Sequence, residues 1–207
     1  MSGYTLYWRQ DAGSVVVEAA LRMIGADFNC VEMPDTAMCQ TPEFLALNPA
    51  GKLPVLACPS GPVIAESAAI LLALDDLFPE ARLLPPHGTS QRSKAVQWLI
   101  FMATNIYTAD LRYHYASRHT TDASPEAAEA IKQQAARDMD RDFAQMAPAI
   151  KGPFLIGETM TITDVYAAML ADWHAPALQL PEIATLVAHV LENDAVRTAW
   201  GNQGFGG

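Results

Sequence analysis

The chain has 207 residues, of which 51% are apolar, and a formal net charge of −10. This acidic balance argues against nucleic acid or an anionic membrane as the main partner, because both repel a negatively charged protein. The length allows one large domain or two small ones, each with a substantial core.

The cysteines and the first residues indicate the compartment. Cys30, Cys39 and Cys58 form no Cys-x-x-Cys pair and have no metal-ligand spacing, so we expect neither a metal site nor a disulfide scaffold. This usage fits a reducing cytosol. The start of the chain shows no basic segment followed by an apolar one, so no secretory signal is expected.

Hydrophobic periodicity and turn residues divide the chain into a mixed part and a helical part. The mixed part contains, in order, strand Thr5–Trp8, helix Ser14–Ile24 ended by Gly25, strand Phe28–Met33, helix Thr41–Leu47, strands Pro54–Ala57 and Pro62–Ile64, and helix Glu66–Phe78. The helical part contains Ser90–Arg118, Pro125–Ala147, Thr163–His174, Ile183–Leu191 and Ala195–Trp200. We predict an α/β domain over 1–80, a linker at 81–89 and an all-α helical bundle domain over 90–207.

Two short segments of the mixed part carry the chemistry. Asn48-Pro49-Ala50-Gly51-Lys52-Leu53-Pro54 is a turn that leads into an apolar strand. Glu66-Ser67 opens a helix, and a helix N-terminus offers unpaired N–H groups and partial positive charge to a carboxylate. A hairpin joins the two segments, which predicts one site for an acidic, peptide-like ligand.

These segments resemble the glutathione site of the glutathione transferase superfamily, and the βαβ–α–ββ–α order resembles its thioredoxin-like domain. The resemblance implies that the backbone of Leu53 pairs with the cysteinyl part of glutathione beside a cis Pro54. It also implies that Glu66 and Ser67 hold the γ-glutamyl carboxylate. Lys52 is a neighbouring cation that favours an anionic ligand. The family pattern further implies a cytoplasmic homodimer that acts in detoxification.

The group that stabilises the glutathione sulfur is atypical here. The family uses a Tyr at the end of the first strand, or a Ser or Cys in the following turn. In this chain Trp8 occupies the Tyr position, Asp11 or Ala12 the Ser position, and Gly13 the Cys position. Ser14 is the remaining hydroxyl of the turn, and it is expected either to cap the helix or to contact the thiolate through its side chain or backbone N–H. Arg9 and Gln10 are further candidates.

The first long helix, Trp98–Tyr107 in particular, resembles the helix of the bacterial beta-type enzymes. This resemblance implies that Thr104 and Asn105 reach glutathione across the dimer and that Tyr107 takes the position of a His. We expect Trp8, Tyr107 and Tyr113 to line a pocket for the second substrate. The alternative is that such aromatic side chains belong to the hydrophobic core.

A second family feature lies at Gly157–Val165. Thr161 and Asp164 have the spacing of a capping box, with Met160 and Val165 placed to staple the helix start. We interpret this box as a folding element and not as a catalytic site.

Taken together, these features predict an enzyme, a glutathione transferase that joins glutathione thiolate to a small hydrophobic electrophile. Two alternatives use the same scaffold, a glutathione-dependent peroxidase or disulfide reductase, and a non-catalytic glutathione-binding regulatory protein. A thioredoxin-like oxidoreductase is less favoured because the chain has no Cys-x-x-Cys pair.

Overall fold

The computed structural model describes residues 3–205 and divides the chain into two compact units. The first unit runs to Leu84 and also includes the segment that begins at Leu191, and the second unit is Pro85–Val190. The C-terminal segment therefore folds with the first unit, an association that the predicted division at 90–207 did not include. Within 3–205, no helix is both long enough and apolar enough to cross a membrane.

The first unit is built on a four-stranded sheet. Its strands are β1 (Tyr4–Trp8), β2 (Phe28–Glu32), β3 (Val55–Ala57) and β4 (Val63–Ala65), in the order β2-β1-β3-β4. β2 runs parallel to β1, and the β1–β3 and β3–β4 pairs are antiparallel. The helices of the described chain are α1 (Ser14–Ile24), α2 (Pro42–Leu47), α3 (Ser67–Leu77), α4 (Ser90–Phe101), α5 (Tyr107–His114), α6 (Pro125–Met146), α7 (Ile162–Trp173), α8 (Pro181–Val190) and α9 (Asp194–Asn202). The predicted fold class, a mixed sheet domain followed by helices, is confirmed.

Helix α1 is the centre of the first unit. Every residue from Ser14 to Leu21 is buried, because α1 packs against β1, α3 and α9. Gly25 ends the helix in the left-handed conformation (φ 72°), as the sequence predicted. A second apolar cluster lies on the other face of the sheet, where Phe44 of α2 packs with Tyr7 and Val55.

The predicted helix Ser90–Arg118 is wrong in detail. α4 passes through a π-helical turn, Met102–Ile106, into α5, which ends at His114 and is followed by a 3₁₀ turn at Ala116–His119. In the π turn the Thr104 hydroxyl donates to the Ile100 carbonyl at 2.8 Å, and Asn105 Nδ2 donates to the Phe101 carbonyl at 3.0 Å. Side chains that bond to preceding carbonyls compete with the regular backbone ladder, which explains why periodicity alone missed this turn.

The predicted capping box at the start of α7 is present. The Asp164 carboxylate accepts hydrogen bonds from the Thr161 N–H at 2.7 Å and from the Thr161 hydroxyl at 2.8 Å. It also accepts the Leu155 N–H at 2.7 Å, a contact that ties the preceding loop to the helix. Asp164 is fully buried, which agrees with its interpretation as a folding element.

Candidate glutathione site at one edge of the sheet

Strand register brings three segments to one edge of the sheet. Val55 at the start of β3 pairs with Ala65 at the end of β4 on one side and with Tyr7 near the end of β1 on the other. The segments just beyond these pairs are the turn after β1, Leu53-Pro54 before β3, and Glu66-Ser67 after β4. The N-terminal ends of α1 and α3 therefore lie at the same edge.

The loop that carries Lys52 and Leu53 is held by Asn48. Asn48 is 5% exposed, its Nδ2 donates to the Lys52 carbonyl at 2.8 Å, and its Oδ1 accepts the Ala50 N–H at 3.1 Å. The peptide bond between Leu53 and Pro54 is cis, as the resemblance implied. The sequence identifies Asn48 only as a turn residue, whereas its burial and hydrogen bonds give it a positioning role.

Glu66 and Ser67 form the start of α3. Glu66 precedes the helix with φ 66° and ψ 111°, a conformation that costs a non-glycine residue energy and is common at ligand sites. Ser67 is the first helical residue and is 5% exposed. The first-turn N–H groups of a helix lack intrahelical partners, so this end suits a carboxylate ligand.

Ser14 has a position that the sequence did not predict. Gly13 is the N-cap of α1, and Ser14 is its first helical residue, so the capping interpretation of Ser14 is wrong. The Ser14 side chain is fully buried, and its hydroxyl faces two acceptors, Oε1 of Gln203 at 2.6 Å and the Arg9 carbonyl at 3.2 Å. A hydroxyl has one proton to donate, so in this arrangement the Ser14 side chain has no proton left to donate to a thiol.

The aromatic residues of β1 point to opposite faces, as alternation predicts. Tyr7 packs against Phe44, with ring centroids 6.0 Å apart. Trp8 lines a groove of about 540 Å³ together with Arg22 and Cys30. The residues that line this groove include none of the cofactor-binding candidates Lys52, Leu53, Pro54, Glu66 and Ser67.

The remaining predicted site residues lie in the second unit. Asn105 uses its Nδ2 within its own helix, on the Phe101 carbonyl and the Thr104 hydroxyl. The half-buried Tyr107 packs its ring 5.2 Å from that of Trp173 and 6.4 Å from that of Tyr166. Tyr113 is 39% exposed.

The three cysteines are poor nucleophiles. Although Cys30 is exposed on β2, partial desolvation by the surrounding protein raises the pKa of its thiol to about 11, and the nearby Glu18 carboxylate adds to this shift. Burial also raises the pKa values of Cys39 and Cys58. Because the thiolate is the reactive form, none of them is activated for attack near neutral pH.

Comparison with known proteins agrees with this geometry. The family model described as "Glutathione S-transferase, N-terminal domain" matches residues 14–77. Glutathione S-transferase GstA of Escherichia coli O157:H7 is 25% identical over 207 residues, which cover 97% of this chain and 98% of GstA.

Solved structures give the same result over nearly the whole chain. The glutathione transferase of Methylococcus capsulatus strain Bath has a TM-score of 0.83 at 27% identity, and the match covers 97% of this chain and 98% of that one. A sphingomonad glutathione S-transferase complexed with glutathione has a TM-score of 0.81 at 26% identity, with the same coverage. The fold, the N-terminal family model and these nearly full-length relatives agree that the chain is similar to proteins of the glutathione S-transferase superfamily.

Proposed function

We propose that the protein is a glutathione transferase that conjugates the glutathione thiolate to a small hydrophobic electrophile. The observation that carries the proposal is the meeting of Leu53-Pro54, Glu66-Ser67 and the turn after β1 at one edge of the sheet. In this proposal Lys52, Leu53, Pro54, Glu66 and Ser67 bind glutathione. The working form is a cytoplasmic homodimer, in which Asn105 adds a contact and Tyr107 and Tyr113 line the electrophile pocket.

The thiolate is stabilised by the backbone of the turn after β1. The Ser14 N–H lies in the first turn of α1, where N–H groups have no intrahelical partner and the helix dipole favours an anion. The Ser14 hydroxyl is occupied by Gln203, which favours the backbone N–H as the donor. The thiol proton leaves to solvent; with an aromatic halide as the electrophile, the sulfur then forms a bond to the ring carbon and halide departs with the electron pair of the carbon–halogen bond. Orientation and thiolate stabilisation supply most of the rate gain.

The commitment of Ser14 also favours a second candidate, a glutathione-binding regulatory protein without turnover. None of the three usual donor positions holds its Tyr, Ser or Cys in this chain. The nearest hydroxyl, that of Ser14, is buried and bonded to Gln203. Binding of glutathione without formation of a conjugate would distinguish this candidate. Conversion of glutathione to its disulfide would instead indicate the peroxidase or reductase alternative.

Calorimetric titration with glutathione tests the proposal directly. Wild type is compared with Ser67→Ala and with a matched control, Ser93→Ala, which changes an exposed serine on α4. We expect Ser67→Ala to weaken binding about tenfold or more, since a hydrogen bond to a charged group contributes about 1.5 to 3 kcal/mol, and Ser93→Ala to bind like wild type. Conjugation of an aromatic halide is assayed on the same samples. Absence of glutathione binding to wild type would refute the proposal.

A further inference from the structure

The C-terminal segment Asn202–Phe205 is joined to helix α1 by buried hydrogen bonds. Gln203 is 1% exposed and uses both ends of its amide. Its Oε1 accepts the Ser14 hydroxyl at 2.6 Å, and its Nε2 donates to Oε2 of Glu18 at 2.7 Å. Both bonds join residues more than 180 positions apart in the sequence, at separations of 189 and 185.

Glu18 makes this junction a charged one. Its carboxylate is 2% exposed and lies one helical turn after Ser14. It also accepts Nδ2 of Asn202 at 2.7 Å and forms an ion pair with Arg22 at 2.8 Å. A buried carboxylate is stable only when such partners compensate for its lost hydration, so removal of one partner is costly. The junction therefore fixes the segment firmly on α1.

The same segment also contacts the turn itself. Gly204 has φ 79°, and a Cβ at that position would clash with the amide group of Gln10, so the Gln10 side chain lies directly against the glycine. Phe205 is 8% exposed, packs on Trp200 with ring centroids 5.4 Å apart, and donates its N–H to the Trp200 carbonyl at 3.0 Å. The segment thus touches the turn after β1 from one side while its own end is anchored on α9.

We propose that the Asn202–Phe205 segment positions the turn after β1 for thiolate stabilisation, with Gln203 as the principal positioning residue. Gln203 holds the Ser14 hydroxyl and so fixes the orientation of the first turn of α1, whose N–H groups face the sulfur. The Ser14 hydroxyl acts as the anchor of the turn and not as the donor to glutathione. This inference rests on the proposed function for its catalytic consequence, whereas its structural part concerns the ligand-free protein.

Two variants break the junction from opposite sides. Gln203→Leu removes both hydrogen bonds of the amide, and Ser14→Ala removes only the anchoring hydroxyl from a helix that tolerates alanine well. Thr198→Ala is the control, because Thr198 is exposed on α9 and its hydroxyl bonds to the Asp194 carbonyl of the same helix. Ser14→Ala also removes the contact of the hydroxyl with the Arg9 carbonyl at 3.2 Å, so if Gln203→Leu fails to fold, Gln203→Ala replaces it in the test.

The first measurement is amide hydrogen exchange in the ligand-free protein. We expect the turn Arg9–Gly13 to exchange about tenfold faster in Gln203→Leu and in Ser14→Ala, and to be unchanged in Thr198→Ala. Unchanged exchange of this turn in both junction variants would overturn the inference, whatever the protein does with glutathione.

The second measurement is the pKa of bound glutathione, followed by thiolate absorbance, together with kcat and KM against pH. We expect both junction variants to raise the thiol pKa by about one unit, which lowers kcat about tenfold at pH 6.5 and much less at pH 9. The double variant should add little to either single change. A large loss in Ser14→Ala with none in Gln203→Leu would overturn the inference, because the hydroxyl itself would then be the donor. Wild type that fails to bind glutathione would refute the proposed function while the exchange result still decides the positioning role.

Discussion

Asp164 offers a quantitative test of the interpretation that the capping box is a folding element. The carboxylate is fully buried and accepts the N–H groups of Leu155 and Thr161 and the Thr161 hydroxyl, all at 2.7 to 2.8 Å. Asp164→Ala would leave two backbone N–H groups buried without an acceptor. Each such group costs about 1 to 3 kcal/mol, which sums to about 2 to 6 kcal/mol.

Part of that cost is recovered. Burial raises the pKa of Asp164 despite the hydrogen bonds that lower it, so the native carboxylate carries a desolvation penalty that the alanine variant escapes. We therefore expect the free energy of unfolding to fall by about 3 kcal/mol, in the lower half of that range. For a chain of this size the melting temperature should fall by roughly 6 to 12 °C.

Urea unfolding followed by far-UV circular dichroism measures this loss at a fixed protein concentration. Glu126→Ala is the matched control, because Glu126 is also an acidic residue in the first turn of a helix but is exposed. Its loss should cost less than about 1 kcal/mol, as for an exposed charge near a helix dipole. Equal destabilisation by the two variants would refute the reasoning, since burial of the donors would then not matter.

Two further predictions concern buried charge and backbone conformation. Burial raises the pKa of Asp110 to about 6, although His114 and His174 lower it, so the folded protein keeps this proton while the unfolded chain releases it. This carboxyl group should therefore cost wild type about 2 kcal/mol of stability as the pH rises from 4 to 6. Asp110→Asn should lack this decline in urea unfolding at the two pH values, and an unchanged decline would contradict the assignment. Gly25→Ala should lower the free energy of unfolding by about 1 kcal/mol, measured by thermal unfolding, because Gly25 has φ 72°. The added methyl would meet nothing within 4 Å, so the cost comes from the backbone conformation alone. An unchanged free energy would show that the left-handed turn relaxes.

Local signals explain why most elements could be predicted from the sequence. The Ser14–Ile24 helix has the predicted bounds because its apolar periodicity and its Gly25 end are both local features. The same holds for α2, whose cap Thr41 accepts the Phe44 N–H at 3.3 Å. The Thr161–Asp164 box was recognisable from spacing alone, since its partners are three residues apart.

The π-helical turn shows where local signals are insufficient. Apolar periodicity changes little when one turn of a long helix widens, so Ser90–Arg118 predicted a continuous α-helix. Whether this turn is α-helical or π-helical depends on side-chain hydrogen bonds such as that of Thr104 to the Ile100 carbonyl, which compete with the backbone hydrogen bonds. This competition has no signature in the hydrophobic pattern.

The sequence by itself determined the fold class and the helix start at Glu66-Ser67, because periodicity and turn residues are local features, whereas the cis Leu53–Pro54 bond was implied by the family resemblance. Only the tertiary structure decided the state of Ser14. The sequence predicts that its hydroxyl either caps the helix or contacts the thiolate. In the structure the hydroxyl instead bonds to Gln203, 189 positions away. A hydrogen bond between residues so distant depends on how α9 packs on α1, and no local pattern specifies that packing.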